Sequence, residues 1–227
     1  AAIAAGPAYV AAMVLSVYAL GAYAIGLGVR ETPVRFSALA VAAVALATAV
    51  LASVGAGVYD AAPFGNIRFA AFAVVGAALG LLAWLAGSRE AALSDDESGA
   101  MEWVGLTVNA VALWAVSLEV AAAVGPPMDA SSFLAPAAAL FISTLCSAYA
   151  IALIFLGSAW EKPRLRYLGY ADLAIGLMLL FEGSIDSAGM AWTPGVNPRF
   201  LAFLVATVVL LVAGLLDSDS VTPAERD

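Results

Sequence analysis

Asn66-Ile67-Arg68-Phe69-Ala70-Ala71-Phe72 and Asn197-Pro198-Arg199-Phe200-Leu201-Ala202-Phe203 are one phrase written twice, identical at five of seven positions. Alanine richness does not produce such a match, because the chain has only three asparagines and eight arginines. The same offset of 131 residues carries Tyr18 onto Tyr149, Gly26 onto Gly157, Arg35 onto Arg166 and Pro63 onto Pro194. A unit has been duplicated, and the phrase opens the last apolar run of each copy.

Those runs decide the fold class. Of 227 residues 64% are hydrophobic and 11% charged, and mean hydropathy is +1.00, values no water-soluble domain normally reaches. Runs bounded by charge, Pro and Gly predict spans at 8–29, 36–59, 69–87, 102–125, 133–160, 167–186 and 199–216. A crossing of about 30 Å of hydrocarbon takes about 20 apolar residues. The sequence therefore predicts an all-α integral membrane protein with seven transmembrane helices in a single bundle. Residues 8–87 and 133–216 are the two three-helix copies, 102–125 is a linking helix, and 217–227 is an acidic tail. Copies that begin four spans apart run the same way through the membrane, so the arrangement is a 3+1+3 parallel internal repeat, a topology shared with some sugar transporters.

Orientation follows from the basic residues. Arg30, Arg35, Arg89, Lys162, Arg164, Arg166 and Arg226 fall on one side, while Arg68 and Arg199 fall on the other. The cell membrane is the expected location, with the N-terminus outside and the C-terminus cytoplasmic. Trp84, Trp103 and Trp160 near inner ends and Trp192 near an outer end read as interfacial belt residues. The net charge of −8 arises in the 95–97 cluster and the tail; these read as solvated acids, and they make nucleic acid a poor partner. No basic leader segment precedes the first apolar run, so no intact signal peptide is read.

Several chemistries are excluded. With no histidine, haem ligation, most zinc sites and the usual general base disappear. The one lysine, Lys162, lies in a turn, so a buried retinal Schiff base is ruled out. Cys146, the one cysteine, is expected to be a small core residue. No cofactor, metal or catalytic constellation is read, and no enzymatic activity is expected.

The phrase from Asn197 to Phe203, together with Tyr149-Ala150-Ile151-Ala152-Leu153, Gly157, Arg164-Leu165-Arg166-Tyr167-Leu168-Gly169 and Asp186, resembles a large family of bacterial and archaeal predicted membrane proteins known only as domain of unknown function 2339. Residues 109–119 are similar too. The likeness covers about two thirds of the chain. It implies a helical membrane fold, with this chain a short member or a fragment, and it implies no known activity. Phe181 stands where that family often carries a lysine.

Ionisable residues inside the spans are costly and face an interior, a cavity or a partner charge. Glu119 and Glu182 fall in the outer third, level with Arg68 and Arg199, so these four predict an outer polar cluster. Asp60 and Asp186 lie at its rim, and Asn66 and Asn197 head the two phrases. A structural role is the first reading of the cluster; a solute or lipid-headgroup site and a proton path are the others. Asp172 lies near Arg164 and Arg166, predicting an inner ion pair. Asn109, central in the linking helix, predicts an interhelical hydrogen bond. Gly76-Ala77-Ala78-Leu79-Gly80 reads as a close-approach face and Gly26-Leu27-Gly28 as a helix end.

The function expected from these readings is non-catalytic. The chain is a structural or assembly subunit that docks other membrane or cell-envelope proteins, with lipids around it. The alternative is a small-solute transporter or channel whose path lies between the repeats. Poverty in buried polar groups favours the first, and parallel duplication the second.

Overall fold

Alanine stripes at alternating three- and four-residue spacing build the helical hairpins of this protein. The computed structural model describes residues 2–55, 62–89, 93–125, 135–186 and 198–218. They form seven helices, and no strand occurs among the described residues: α1 Ala2–Val29, α2 Thr32–Gly55, α3 Ile67–Gly87, α4 Asp95–Val124, α5 Pro136–Ala159, α6 Pro163–Asp186 and α7 Pro198–Ser218. All seven expected spans are present as helices. Six are long and apolar enough to cross a membrane, whereas the apolar part of α7, Arg199–Leu215, is shorter. These six mark a membrane-embedded protein.

The chain divides into two compact units, Ala1–Ala123 and Val124–Asp227. In the first, α1 packs along α2 and α3. Buried positions on α1 are Tyr9, Ala12, Ser16, Ala19, Tyr23, Gly26 and Leu27; on α2 they are Arg35, Ala38, Ala42, Ala45, Ala49 and Ser53. This near-heptad spacing keeps one seam facing its partner, and small side chains let the backbones approach where apolar surface gains little by leaving lipid. Helix α4 closes the unit: Val111, Ala115 and Leu118 share a cluster with Phe72, Val75 and Leu79 of α3. Within the expected close-approach face, a Cβ at Gly76 would meet Val111 of α4 at 3.8 Å, while Gly80 has open space.

The second unit is built in the same way, with α5 packed along α6 and α7. Its seam is tighter. A Cβ at Gly169 would lie 2.8 Å from the Ala150 carbonyl, and one at Gly183 3.0 Å from the Pro136 carbonyl. Gly169, Gly176 and Gly183, seven residues apart, let α6 lie on the α5 backbone. Cys146 is buried in this seam and unbonded to another cysteine.

The turns of the two hairpins match. α1 ends on Arg30 with φ 60°, and α5 is followed by Glu161 with φ 53°. Glu31 N–H donates to the Gly26 carbonyl at 3.0 Å, and Lys162 N–H to the Gly157 carbonyl at 2.8 Å. Both are helix ends closed by a left-handed residue and a six-to-one hydrogen bond. In both, a glycine admits the next helix: a Cβ at Gly26 would strike Arg35 Cγ at 2.7 Å, and one at Gly157 Arg166 Cγ at 2.8 Å.

Several helices begin before the expected residue, α1 at Ala2, α2 at Thr32 and α6 at Pro163, and the largest departure is at the fourth. The fourth helix begins at Asp95, seven residues before the expected 102, because Ser94 and Glu97 cap it reciprocally. Ser94 N–H donates to the Glu97 carboxylate and Glu97 N–H to Ser94 Oγ, both at 3.3 Å. Trp192 and the tail at 219–227 lie outside the described residues. Trp84, Trp103 and Trp160 are exposed at helix ends or near them.

The glycine seam predicts an asymmetry. Gly169→Ala should destabilise the detergent-solubilised protein by about 1–3 kcal/mol, since the methyl meets the Ala150 carbonyl and the Ile154 backbone as well as the Ile154 side chain. Gly21→Ala, with nothing within 4 Å, should leave the melting temperature unchanged or raise it. Thermal melts of the two variants check both outcomes.

Candidate functional site

Glu119 lies near the end of α4, fully buried, and the start of α3 is wrapped around it. Arg68 donates Nε and Nη2 to Oε1 at 3.0 and 2.8 Å. Phe64 N–H and Asn66 Nδ2 donate to Oε2 at 2.7 and 2.8 Å. Four donors thus converge on one carboxylate. Asn66 also caps α3, its Oδ1 accepting from Phe69 N–H at 2.8 Å, and its amide donates to the Ala62 carbonyl at 2.9 Å. The Asn-x-Arg-Phe phrase is therefore a clamp: the asparagine fixes the helix start, the arginine pairs the acid, and the phenylalanine packs edge-on against Phe64 at 5.4 Å. Phe64 holds a left-handed backbone, φ 58°, to aim its N–H inward.

A second pair lies at the other end of the first unit. Arg35, at the start of α2, forks onto Glu97 of α4, Nε to Oε1 at 2.5 Å and Nη2 to Oε2 at 2.7 Å. Both side chains are almost wholly enclosed, 3% and 0% exposed. Nη1 reaches the Gly26 carbonyl at 3.3 Å and Nη2 the Thr32 hydroxyl at 3.1 Å. Glu97 therefore corrects the reading of residues 95–97 as a solvated acidic cluster. Its neighbour Asp96 is exposed, but Glu97 is turned inward by the cap it shares with Ser94. The Ser-x-x-Glu spacing ahead of an apolar run was the signal for it.

Each pair has a tyrosine of α1 beside it. Tyr9 lies within electrostatic reach of Arg68 and Glu119, and Tyr23 of Arg35 and Glu97; both rings are buried, at 2% and 0% exposure. Along α4 the two carboxylates are 22 residues apart, about 33 Å at 1.5 Å per residue. That separation is close to the roughly 30 Å hydrocarbon thickness of a bilayer.

In the second unit Arg199 donates Nη2 to the Ser184 carbonyl, tying the start of α7 to the last turns of α6. Glu182 is on the exposed side of α6, one turn from the helix end, and is not turned into the interior. Asp172 is buried at 3% exposure; Arg166 is half-buried and Arg164 exposed, about two turns earlier on α6. Asp60 and Asn197, and the side chain of Asp186, lie outside the described residues. Of the expected outer cluster, the structure brings together Arg68, Glu119 and Asn66. Asn109 is buried on α4. No group of three metal-ligating side chains occurs among the described residues.

No family model matches the chain, and neither a curated protein nor a solved structure matches it.

These pairs make breakage costly and joint replacement cheap. Glu97→Ala should cost about 3–5 kcal/mol by stranding a buried guanidinium, whereas Arg35→Met with Glu97→Leu should cost much less than the two single changes combined. Glu119→Ala should likewise destabilise through Arg68, Asn66 and Phe64 N–H together. Melting temperatures of the single and double variants in detergent check this.

Proposed function

We propose that this chain is a non-catalytic membrane scaffold, a structural or assembly subunit that docks other membrane or cell-envelope proteins. The observation that carries the reading is the mutual use of charge in the first unit. Arg35 is taken up by Glu97 and Arg68 by Glu119, so these groups hold helices in place rather than awaiting a solute. A cavity of about 280 Å³ lies among α2, α3 and α4, but Leu39, Ala42, Leu46, Leu79 and Val104 dominate its lining, so it is no ionic path.

The proposed architecture is seven crossings in a 3+1+3 parallel repeat, with the N-terminus outside and the C-terminus in the cytoplasm. The matched turns at Arg30 and Glu161, and the matched contacts of Gly26 with Arg35 and Gly157 with Arg166, support the duplication. The apolar stretch of α7 would span about 25 Å, enough for a thin or locally compressed bilayer. Parallel copies predict that helices 1–3 superpose on helices 5–7 by rotation about the membrane normal.

The transporter reading draws on one observation: buried Ser143 and Asp172 give the second unit polar side chains where the first has Ala12 and Val41.

Two measurements test the proposal. Cysteines placed at Ser94 and at Ala188, in a Cys146→Ser background, should be labelled by impermeant reagents from the cytoplasmic and outer sides respectively; the reverse pattern would invert the topology. In-membrane cross-linking with mass spectrometry should recover stoichiometric protein partners. Solute flux in liposomes containing the chain alone, with no such partners, would favour transport instead.

A further inference from the structure

Helix α4 is held to the first unit at its start and along its second half, but stands off in between. Glu97 is fully buried and bonded to Arg35, and Asn109, Val111, Ala115 and Leu118 are buried further along. From Met101 to Val108 no residue of α4 is buried. α2 begins at the same ion pair, and both helices leave it in the same direction.

The space between them is the cavity of about 280 Å³. Leu39, Ala43 and Leu46 of α2 line it on one side, Ala100, Trp103 and Thr107 of α4 on the other, and Leu79 of α3 between. On α2 and on α4 these positions share one face over two turns, about 10 Å of helix. About one turn before Leu39 and Ala100, the Arg35–Glu97 pair joins the two walls. Beyond the other end, Val111 of α4 returns to the cluster around Phe72 and Val75. The groove is open at its side, where Ala43 and Trp103 are exposed.

Size, lining and surroundings together decide what fits. A buried water needs two to four polar partners; the lining is aliphatic apart from the Trp103 indole and Thr107, whose hydroxyl already donates to the Trp103 carbonyl at 2.7 Å. A helix is about 10 Å across with its side chains, so two turns of one take up roughly 900 Å³, far more than the groove offers. An apolar cavity of about 150 Å³ accepts benzene, and on that scale this groove accepts an aliphatic run of roughly ten carbons. α2, α3 and α4 are each long and apolar enough to cross a membrane, so the medium around them is acyl chain. Left empty, the lining atoms would lose their contact partners on one side. We propose that the groove between α2 and α4 is a lipid site that holds one acyl chain of a bilayer phospholipid, lying along the helices with Trp103 at its rim. The chain supplies the packing that α4 lacks between its two anchored stretches. The inference does not depend on the scaffold reading.

A phosphatidylcholine carrying a diazirine on one acyl chain tests the site, with the full-length protein reconstituted in nanodiscs of that lipid and adducts located by peptide mass spectrometry. Adducts should concentrate several-fold on residues 39–46 and 100–107 over the exposed stretch Val14–Val17 of α1. Washing with detergent before photolysis should remove the Val14–Val17 adducts and leave those in the groove. Ala43→Phe, which fills the groove from its open side, should lower groove labelling several-fold, while Val44→Phe, on the far face of α2, should not. If Ala43→Phe does not fold, Ala100→Phe and the wash on the unaltered protein carry the test. Labelling spread evenly over all exposed faces, or groove adducts lost to the wash as readily as the others, would overturn the proposal. So would a groove shielded from the lipid probe by another protein chain.

Discussion

Two carboxylates about 33 Å apart on one helix constrain the first unit more than any apolar contact does. Hydrocarbon offers no water to a stray charge, so α4 can enter the membrane only with a cation waiting at each end. Arg35 and Arg68 meet that condition from the first turns of α2 and α3. They also set where those helices begin. The α1–α2 turn must deliver Arg35 beside the Gly26 carbonyl, and the loop before α3 must bring Phe64 N–H and Asn66 onto Glu119. The left-handed residues Arg30 and Phe64 are the local strain accepted to achieve this.

Much of this was legible in sequence, for reasons that differ residue by residue. Helix positions follow from apolar length, because a bilayer leaves little freedom in how a 20-residue run is placed. Arg68 and Glu119 could be set at one level by counting residues from span ends, which located the clamp without its geometry. Glu97 was hidden because an acid in a run of Asp-Asp-Glu ordinarily faces water; only its three-residue spacing from Ser94 marks it as a cap, and nothing local shows that Arg35 would cover it. The small-residue seams were obscured by composition. When alanine occupies every face, a stripe of alanines at three- and four-residue spacing does not stand out, and only the packing shows which stripe is used.

Positions related by the 131-residue offset also differ in burial. Phe72 is 2% exposed and Phe203 42%, though both stand in the same phrase. Phe72 is covered by α4 residues within its own unit. The backbone devices at the two hairpin turns are alike, since both helix pairs need them in order to pack, while side chains on the outer faces and in the α5–α6 seam differ.

The charged pairs are better understood as register marks than as sources of stability. An apolar pair of similar volume would hold α4 in place as well or better, since desolvation offsets most of the attraction between buried charges. But a helix coated in Ala, Val and Leu slides against another such helix at little cost, each turn offering nearly the same surface as the last. Moving α4 by one turn would leave Glu97 and Glu119 each about 5.4 Å from its place and separate both from their arginines at once. The alternative registers are thereby made expensive, while the native one gains little. Specificity in an alanine-rich bundle comes from that difference, and two pairs at opposite ends fix both the depth of α4 and its rotation.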